Sequence, residues 1–338
     1  MIPGFLRPLR PGGWWLYKIP PLIGVCYAMA FHLGLTALTT LNLIAQLLVI
    51  FSCVFSYGYV INDLFDIRED RLAGKTNRLA HLPRFIQIAY AIVPLLLCGL
   101  CLFFFVRNIP VALFCAANFL IVTLYSVPPI RLKERAVAGV LADALGAHVF
   151  PTVIVLLLTG TEAGSMLSVV TLIWAACLGL RAIIMHQVLD AGNDKAAGVR
   201  TLPRIVSRKS LKRFILGFCF PLEIIALLVM TVTIFPSAPA PAIALVLHGA
   251  IEWARIGLNI PMTRFHPEVP LSERHIPLFN NQFYETWWPL SLAVQALLLD
   301  PVGLIHIALV LILFFPNIRL SVKIDLSVCV ALLKRLRN

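Results

Sequence analysis

Charge is scarce in this chain. Asp, Glu, Lys and Arg make up 13% of its 338 residues, and acidic residues are the rarer kind, 16 against 28 basic ones. With 60% hydrophobic residues and a mean hydropathy of +0.90, the usual mix of a soluble globular domain is excluded. A Ser/Gly-rich linker and any shift of composition are also lacking, so one domain over 1–338 is expected. The eight cysteines lie mostly inside apolar runs, as Cys98 and Cys101 do, without paired CxxC or Cys/His ligand spacing. They read as small core residues rather than disulfides or zinc ligands. The Pro-rich, basic N-terminus lacks a short apolar run ending in a small-residue cleavage site, so no cleavable signal peptide is expected and the first span directs insertion.

Long apolar runs are what the chain does have. Stretches long enough to cross about 30 Å of hydrocarbon, roughly 17 to 25 residues each, fall near 19–36, 41–62, 85–106, 109–126, 137–158, 166–189, 214–235 and 239–258. A last stretch, 287–315, is interrupted by Asp300-Pro301 and reads as one kinked span or a tight pair. The sum is about nine spans in an all-α, multi-pass membrane protein. A longer polar loop, 259–286, containing Pro261, Pro267, Pro270 and Pro277, is a lid or a connector, and 317–338 is a basic C-terminal tail.

A net charge of +12 raises the possibility of nucleic acid, but the cations sit between apolar runs, which is the pattern that orients a membrane protein. Arg68, Arg71, Lys75, Arg78 and Arg84 follow the second span, Arg131, Lys133 and Arg135 the fourth, and Arg200, Arg204, Arg208, Lys209, Lys212 and Arg213 the sixth. These loops, and the N-terminus with Arg7, Arg10 and Lys18, are expected on the cytoplasmic side. Lys334, Arg335 and Arg337 suit a cytoplasmic end and an even span count, which conflicts with nine spans unless the tail is an interfacial helix on the other side.

Against this background two acidic clusters stand at the ends of apolar segments: Asn62-Asp63-Leu64-Phe65-Asp66-Ile67-Arg68-Glu69-Asp70 and Asp190-Ala191-Gly192-Asn193-Asp194. On a helix advancing about 100° per residue, Asp63, Asp66 and Asp70 fall within an arc of roughly 60° with Asn62 beside them. Asp190 and Asp194 stack at i and i+4, with His186 and Asn193 within about 60° of Asp190. A lone acidic triplet can be a helix end entering water. Two clusters, each on one face and each followed by cations, point to function, because ionisable groups near membrane depth are costly. Carboxylates of this kind suit Mg²⁺, which binds through one or two of them plus substrate phosphates. A metal-bridged diphosphate is then the natural ligand, and charge neutralisation would favour its departure from carbon. The clusters also form a coarse internal echo, Asp66 and Asp194 lying about 128 residues apart, as in a parallel repeat with two half-bundles meeting at one cavity.

A third element follows the fourth span: Tyr125-Ser126-Val127-Pro128-Pro129-Ile130-Arg131-Leu132-Lys133. Pro128-Pro129 ends that helix and throws Arg131 and Lys133 onto the rim that carries both acidic clusters, where Arg binds phosphate bidentately and Lys as a point charge.

Together these residues resemble the UbiA superfamily of intramembrane prenyltransferases. Asn62-Asp63-x-x-Asp66-x-x-x-Asp70 is similar to its NDxxDxxxD signature, Asp190-x-x-x-Asp194-x-x-x-Gly198 looks like its second motif, and Gly198-Val199-Arg200-Thr201-Leu202-Pro203 resembles the sequence that often follows. Tyr125 through Lys133 is similar to its YSxPPxxLK-like segment. The resemblance, over about 1–315, implies a nine-helix bundle around a central cavity with a lateral opening to lipid. It implies Mg²⁺ held by Asp63, Asp66, Asp70, Asp190 and Asp194 with Asn62, and phosphate contacts from Arg131, Lys133 and Lys195. Lys75 and Arg78 would close over the diphosphate, although Leu79 stands where many relatives have Pro after Arg. Tyr125 would offer its π face to a carbocation or serve as an interfacial anchor. His186-Gln187 departs from the commonest aromatic-acceptor members, and His186 is either a base or acceptor contact or a hydrogen-bonded core histidine. Arg181, deeper in the sixth span, needs a partner and would meet Asp143 or an acidic acceptor.

The implied reaction is Mg²⁺-dependent transfer of an isoprenoid chain from a prenyl diphosphate to a lipophilic, aromatic acceptor. The alternative is a UbiA-type terpene cyclase that needs no acceptor, and a further reading is a non-catalytic isoprenoid transporter. A soluble nucleic-acid binder is excluded by the spans.

Overall fold

The computed structural model describes residues 4–72, 74–196, 201–260 and 279–337, the side chains of 193–196 and 279 excepted. The chain is all-α, with no strand among the described residues. Its helices are α1 (Ile19–His32), α2 (Ala37–Phe65), α3 (Ile67–Leu72), α4 (Arg84–Val106), α5 (Ile109–Ser126), α6 (Val137–Thr159), α7 (Met166–Ala196), α8 (Arg208–Ile234), α9 (Ala240–Gly257), α10 (279–299) and α11 (Gly303–Arg337). Most are apolar around the whole circumference, the pattern of a membrane span. Local signals set their ends. Asn108 accepts from the Val111 amide at 3.1 Å and Ser207 from the Ser210 amide at 3.1 Å, capping α5 and α8. Gly160, at φ 78°, takes the left-handed conformation that closes α6.

Among the described residues seven helices are long and apolar enough to cross a membrane, namely α2, α4, α5, α6, α7, α8 and α11, and α1 is a shorter apolar helix. The expected nine is therefore approximate. The stretch 287–315 proves to be the tight pair. Asp300 accepts the Val302 amide through Oδ1 at 2.9 Å and the Gly303 amide through its carbonyl at 2.8 Å, turning α10 into α11. Residues 317–337, read as a basic tail, continue α11. Asn317, Ser321, Ile324 and Asp325 are buried, and the cations Lys334, Arg335 and Arg337 occupy the last turn. Most of the 259–286 loop lies outside the described residues, and 279–286 belongs to α10.

The chain packs as two compact units, one of Met1–Trp15 with Leu43–Leu227, the other of Leu16–Asn42 with Leu228–Asn338. Both acidic motifs lie in the first, so the expected half-bundle per motif is not how the chain divides. In that unit Tyr57, Val60, Ile61, Leu79 and Ala91 form one apolar cluster behind the first motif. Ile183, Ile184, Val140, Leu202 and Ile215 form another behind the second. In the other unit α1 lies against α10 so closely that a Cβ on Gly24 would stand 2.9 Å from the Trp288 ring. There Tyr27 Oη bonds His306 Nδ1 at 2.8 Å, and Arg255 grips Glu252 with both side chains buried.

Candidate active site

The first motif spans the joint between α2 and α3, with Asp66 outside both helices: its amide reaches the Asn62 carbonyl at 3.0 Å and the Asp70 amide reaches the Asp66 carbonyl at 2.8 Å. Each of the three aspartates is met by a different segment.

Asp63, 3% exposed, accepts from Arg10 Nη1 at 2.8 Å. Arg10 comes from the N-terminal segment, and its guanidinium lies 4.9 Å from the centroid of the Tyr59 ring. That segment is tied down by Tyr59 Oη donating to the Gly13 carbonyl at 2.8 Å and Tyr90 Oη to the Phe5 carbonyl at 2.7 Å.

Asp66 receives the α5–α6 connection. Arg131 Nη2 approaches its Oδ1 at 2.9 Å, and Lys133 Nζ contacts both carboxylate oxygens. Lys133 also donates to Asn62 Oδ1 at 3.0 Å, and Ser126 to the same oxygen at 3.3 Å. Arg131 reaches Glu134 and, at 3.5 Å, Glu69. Its backbone is left-handed, φ 40°, an uncommon state for a residue with a Cβ. Gly139 is what lets this connection sit so low. A Cβ there would stand 2.7 Å from the Leu132 carbonyl oxygen and 3.1 Å from the Lys133 Cα. Burial pushes the Lys133 ammonium below the usual lysine range, and Asp66 opposes the shift by favouring the charged form.

Asp70 accepts from Asn77 Nδ2 at 2.8 Å, and the same amide reaches the Asp63 carbonyl at 2.7 Å. Lys75 and Arg78 are exposed on this loop, with Arg78 close enough to Asp63 for their charges to interact. Tyr125 is half-buried in the last turn of α5.

The second motif is less enclosed. His186 Nδ1 lies 3.5 Å from Asp190 Oδ2, with the histidine side chain 69% exposed, so His186 is not a core residue. Gln187 turns inward and accepts the Leu202 amide at 3.3 Å, fixing the chain that follows the motif. The side chains of Asp194 and Lys195 lie outside the described residues. Arg181 is committed to Glu223 of α8 through two bonds of 2.7 and 2.9 Å, both side chains essentially inaccessible. Among the described residues no hydrogen bond or ion pair joins the two motifs.

Three participants escaped the sequence reading. Arg10 counted there only as a topology charge, Asn77 has no spacing that marks it, and Glu223 sits alone in an apolar run. The donor set suits a hard divalent cation, since Asp63, Asp66, Asp70 and Asn62 can each offer a side-chain oxygen. These carboxylates are held by Arg10, Arg131, Lys133 and Asn77, and no three His, Cys, Asp or Glu side chains converge on one point among the described residues.

Apolar helices, two acidic motifs in one unit and cations gathered on the first define a multi-pass helical membrane protein with a cluster of paired charges at the end of a span. The family model for the UbiA prenyltransferase family matches residues 19–261, most of the chain, and the protein belongs to that family. It is an integral membrane protein. Similar solved structures include a UbiA homolog from Archaeoglobus fulgidus bound to DMAPP and Mg²⁺, with 21% identity over 90% of this chain and 99% of that one and a TM-score of 0.55. The same homolog bound to GPP and Mg²⁺ shows 21% identity over 90% of this chain and 100% of that one, with a TM-score of 0.54. Identity this low speaks to the fold alone. Comparison with curated proteins gave no match.

Proposed function

We propose that the protein is an Mg²⁺-dependent intramembrane prenyltransferase that moves an isoprenoid chain from a prenyl diphosphate to a lipophilic, aromatic acceptor. The observation that carries this reading is the meeting of Asp66 with Arg131 and Lys133, which places carboxylates for a cation and cations for a phosphate within one contact. The Archaeoglobus fulgidus homolog, bound to DMAPP or GPP with Mg²⁺, supports the choice of ligand class.

In this reading Asp63, Asp66, Asp70, Asp190 and Asp194, with Asn62, hold the ion, which when bound supplies positive charge against the leaving diphosphate. Arg131, Lys133 and Lys195 take phosphate oxygens, and Lys75 and Arg78 close from the loop. The C–O bond breaks with its electron pair on the diphosphate, leaving an allylic cation faced by the Tyr125 ring. The acceptor's electrons form the new C–C bond and its proton passes to a base, for which His186 beside Asp190 is the candidate. Arg10, already on Asp63, would be within reach of a phosphate oxygen if that carboxylate held the ion. The basic connections support a cytoplasmic position for these loops.

The test is diphosphate release by purified protein with Mg²⁺, given geranyl, farnesyl, geranylgeranyl or longer diphosphates, with and without aromatic and lipid acceptors. Release that depends on both Mg²⁺ and an acceptor is expected. Release without an acceptor, with a cyclised hydrocarbon, would replace transfer by cyclisation, and no release with any donor would overturn the enzyme reading.

A further inference from the structure

Beside the first motif lies an open, basic cavity of about 530 Å³, lined by Arg68, Arg71 and Arg84 together with Leu64, Phe65, Ile67 and Leu72. Arg68 and Arg71 stand on α3 and Arg84 opens α4, and none of the three pairs with a motif aspartate among the described residues.

The cations at the motif's aspartates are committed: Arg10 to Asp63, Arg131 and Lys133 to Asp66. Those beside it are not. Arg68 and Arg71 are exposed and have no hydrogen-bond or ion-pair partner among the described residues, and Arg84 gives one N–H to the neutral Gln87 at 3.1 Å. No carboxylate lines the cavity, and Leu72 beside the arginines is 77% exposed. Three guanidinium groups next to exposed apolar side chains, at the end of a membrane span, match a ligand that is an anion at one end and hydrocarbon at the other.

We propose that this cavity binds the headgroup of an anionic phospholipid of the surrounding membrane. Guanidinium groups pair bidentately with a phosphodiester, and juxtamembrane cations gain from an anionic leaflet. Arg68 and Arg71 share the short helix α3 with Asp70. A bound headgroup therefore steadies α3 and the acidic motif, making the site's order depend on membrane charge. The inference does not require prenyl transfer.

The full-length protein is placed in nanodiscs of phosphatidylcholine with or without phosphatidylglycerol, and retained phosphatidylglycerol is measured by native mass spectrometry. The variant Arg68→Gln, Arg71→Gln, Arg84→Gln is expected to bind it roughly tenfold to a hundredfold more weakly. The control Arg208→Gln, Lys209→Gln, Arg213→Gln, on another basic helix, is expected to bind like the parent. Phosphatidylglycerol should also raise the thermal midpoint of the parent and not of the first variant. Should that variant fail to fold, Arg68→Gln and Arg71→Gln alone are each expected to weaken binding about fivefold, and no loss in either overturns the proposal. Equal loss in the control would reduce the effect to general surface charge. Displacement by inorganic phosphate at equal concentration would make the site one for a free anion. Retention of farnesyl diphosphate, instead of phosphatidylglycerol, through these arginines would make it a substrate groove. Any of these three results overturns the proposal.

Discussion

Two sets of ion pairs lie in the same unit, and they are built in opposite ways. Arg181 and Glu223 are joined by two bonds and sealed from solvent between α7 and α8. At the first motif Asp66 is shared by two cations, Arg131 is shared by three carboxylates, and the partners come from the N-terminal segment, the α5–α6 connection and the loop after α3. A sealed pair has nothing left to offer a ligand, and breaking it leaves a bare charge in apolar surroundings. A shared cluster can exchange one partner for another without stranding any group, because its members lie in reach of several. Burial and matching therefore distinguish a sealed pair from a shared cluster within one unit of this protein.

The largest test of that contrast is the double change Asp66→Ala, Asp190→Ala, which should abolish diphosphate release, a loss beyond about a thousandfold, while the protein still elutes as a folded species in detergent. Next, Arg181→Ala should destabilise the fold by about 3–5 kcal/mol, read as a lowered thermal midpoint, with the activity of the folded fraction retained. If Arg181→Ala instead folds normally and loses substrate affinity, the contrast breaks, because the sealed pair would then serve chemistry. The joint replacement Arg181→Met, Glu223→Leu should recover most of the stability, since apolar residues can replace a buried pair.

Gly139→Ala sharpens the comparison from the other side. It adds one methyl under the Leu132 carbonyl, so about 1–3 kcal/mol of overpacking should lift Arg131 and Lys133 from Asp66, lowering kcat/KM more than it lowers the thermal midpoint. The smallest effect is expected from Arg10→Ala. Losing one charged hydrogen bond, worth about 1.5 kcal/mol for a side chain that is 35% exposed, should weaken prenyl diphosphate binding about tenfold, and binding of Mn²⁺ without substrate, followed by electron paramagnetic resonance, should strengthen as Asp63 is freed. Unchanged metal binding would show that Arg10 does not compete for that carboxylate.

The all-α class was legible in hydropathy, and most spans fall near their expected bounds because run length alone sets them. The break at Asp300-Pro301 was visible too, but its outcome, a turn with Asp300 capping the next helix, depends on hydrogen bonds that a run of residues does not display. The spacing of Asp63, Asp66 and Asp70 was legible but the interruption of the helix at Asp66 was not, and Arg131 and Lys133 were placed on that rim by the prolines before them. Arg10 and Asn77 were invisible as site residues, since they meet the motif across 53 and 7 positions with no periodicity to announce it. His186 was left open between core and surface, and its exposure depends on what packs around α7.

Composition and local spacing thus determined what a single helix can carry: that it spans, where it stops, and which side chains share its face, because those depend on residues within a few turns. Tertiary structure alone decided which charge meets which. Glu223 found Arg181 across 42 positions and Arg10 found Asp63 across 53, because such contacts join segments far apart in the chain and depend on how the helices pack.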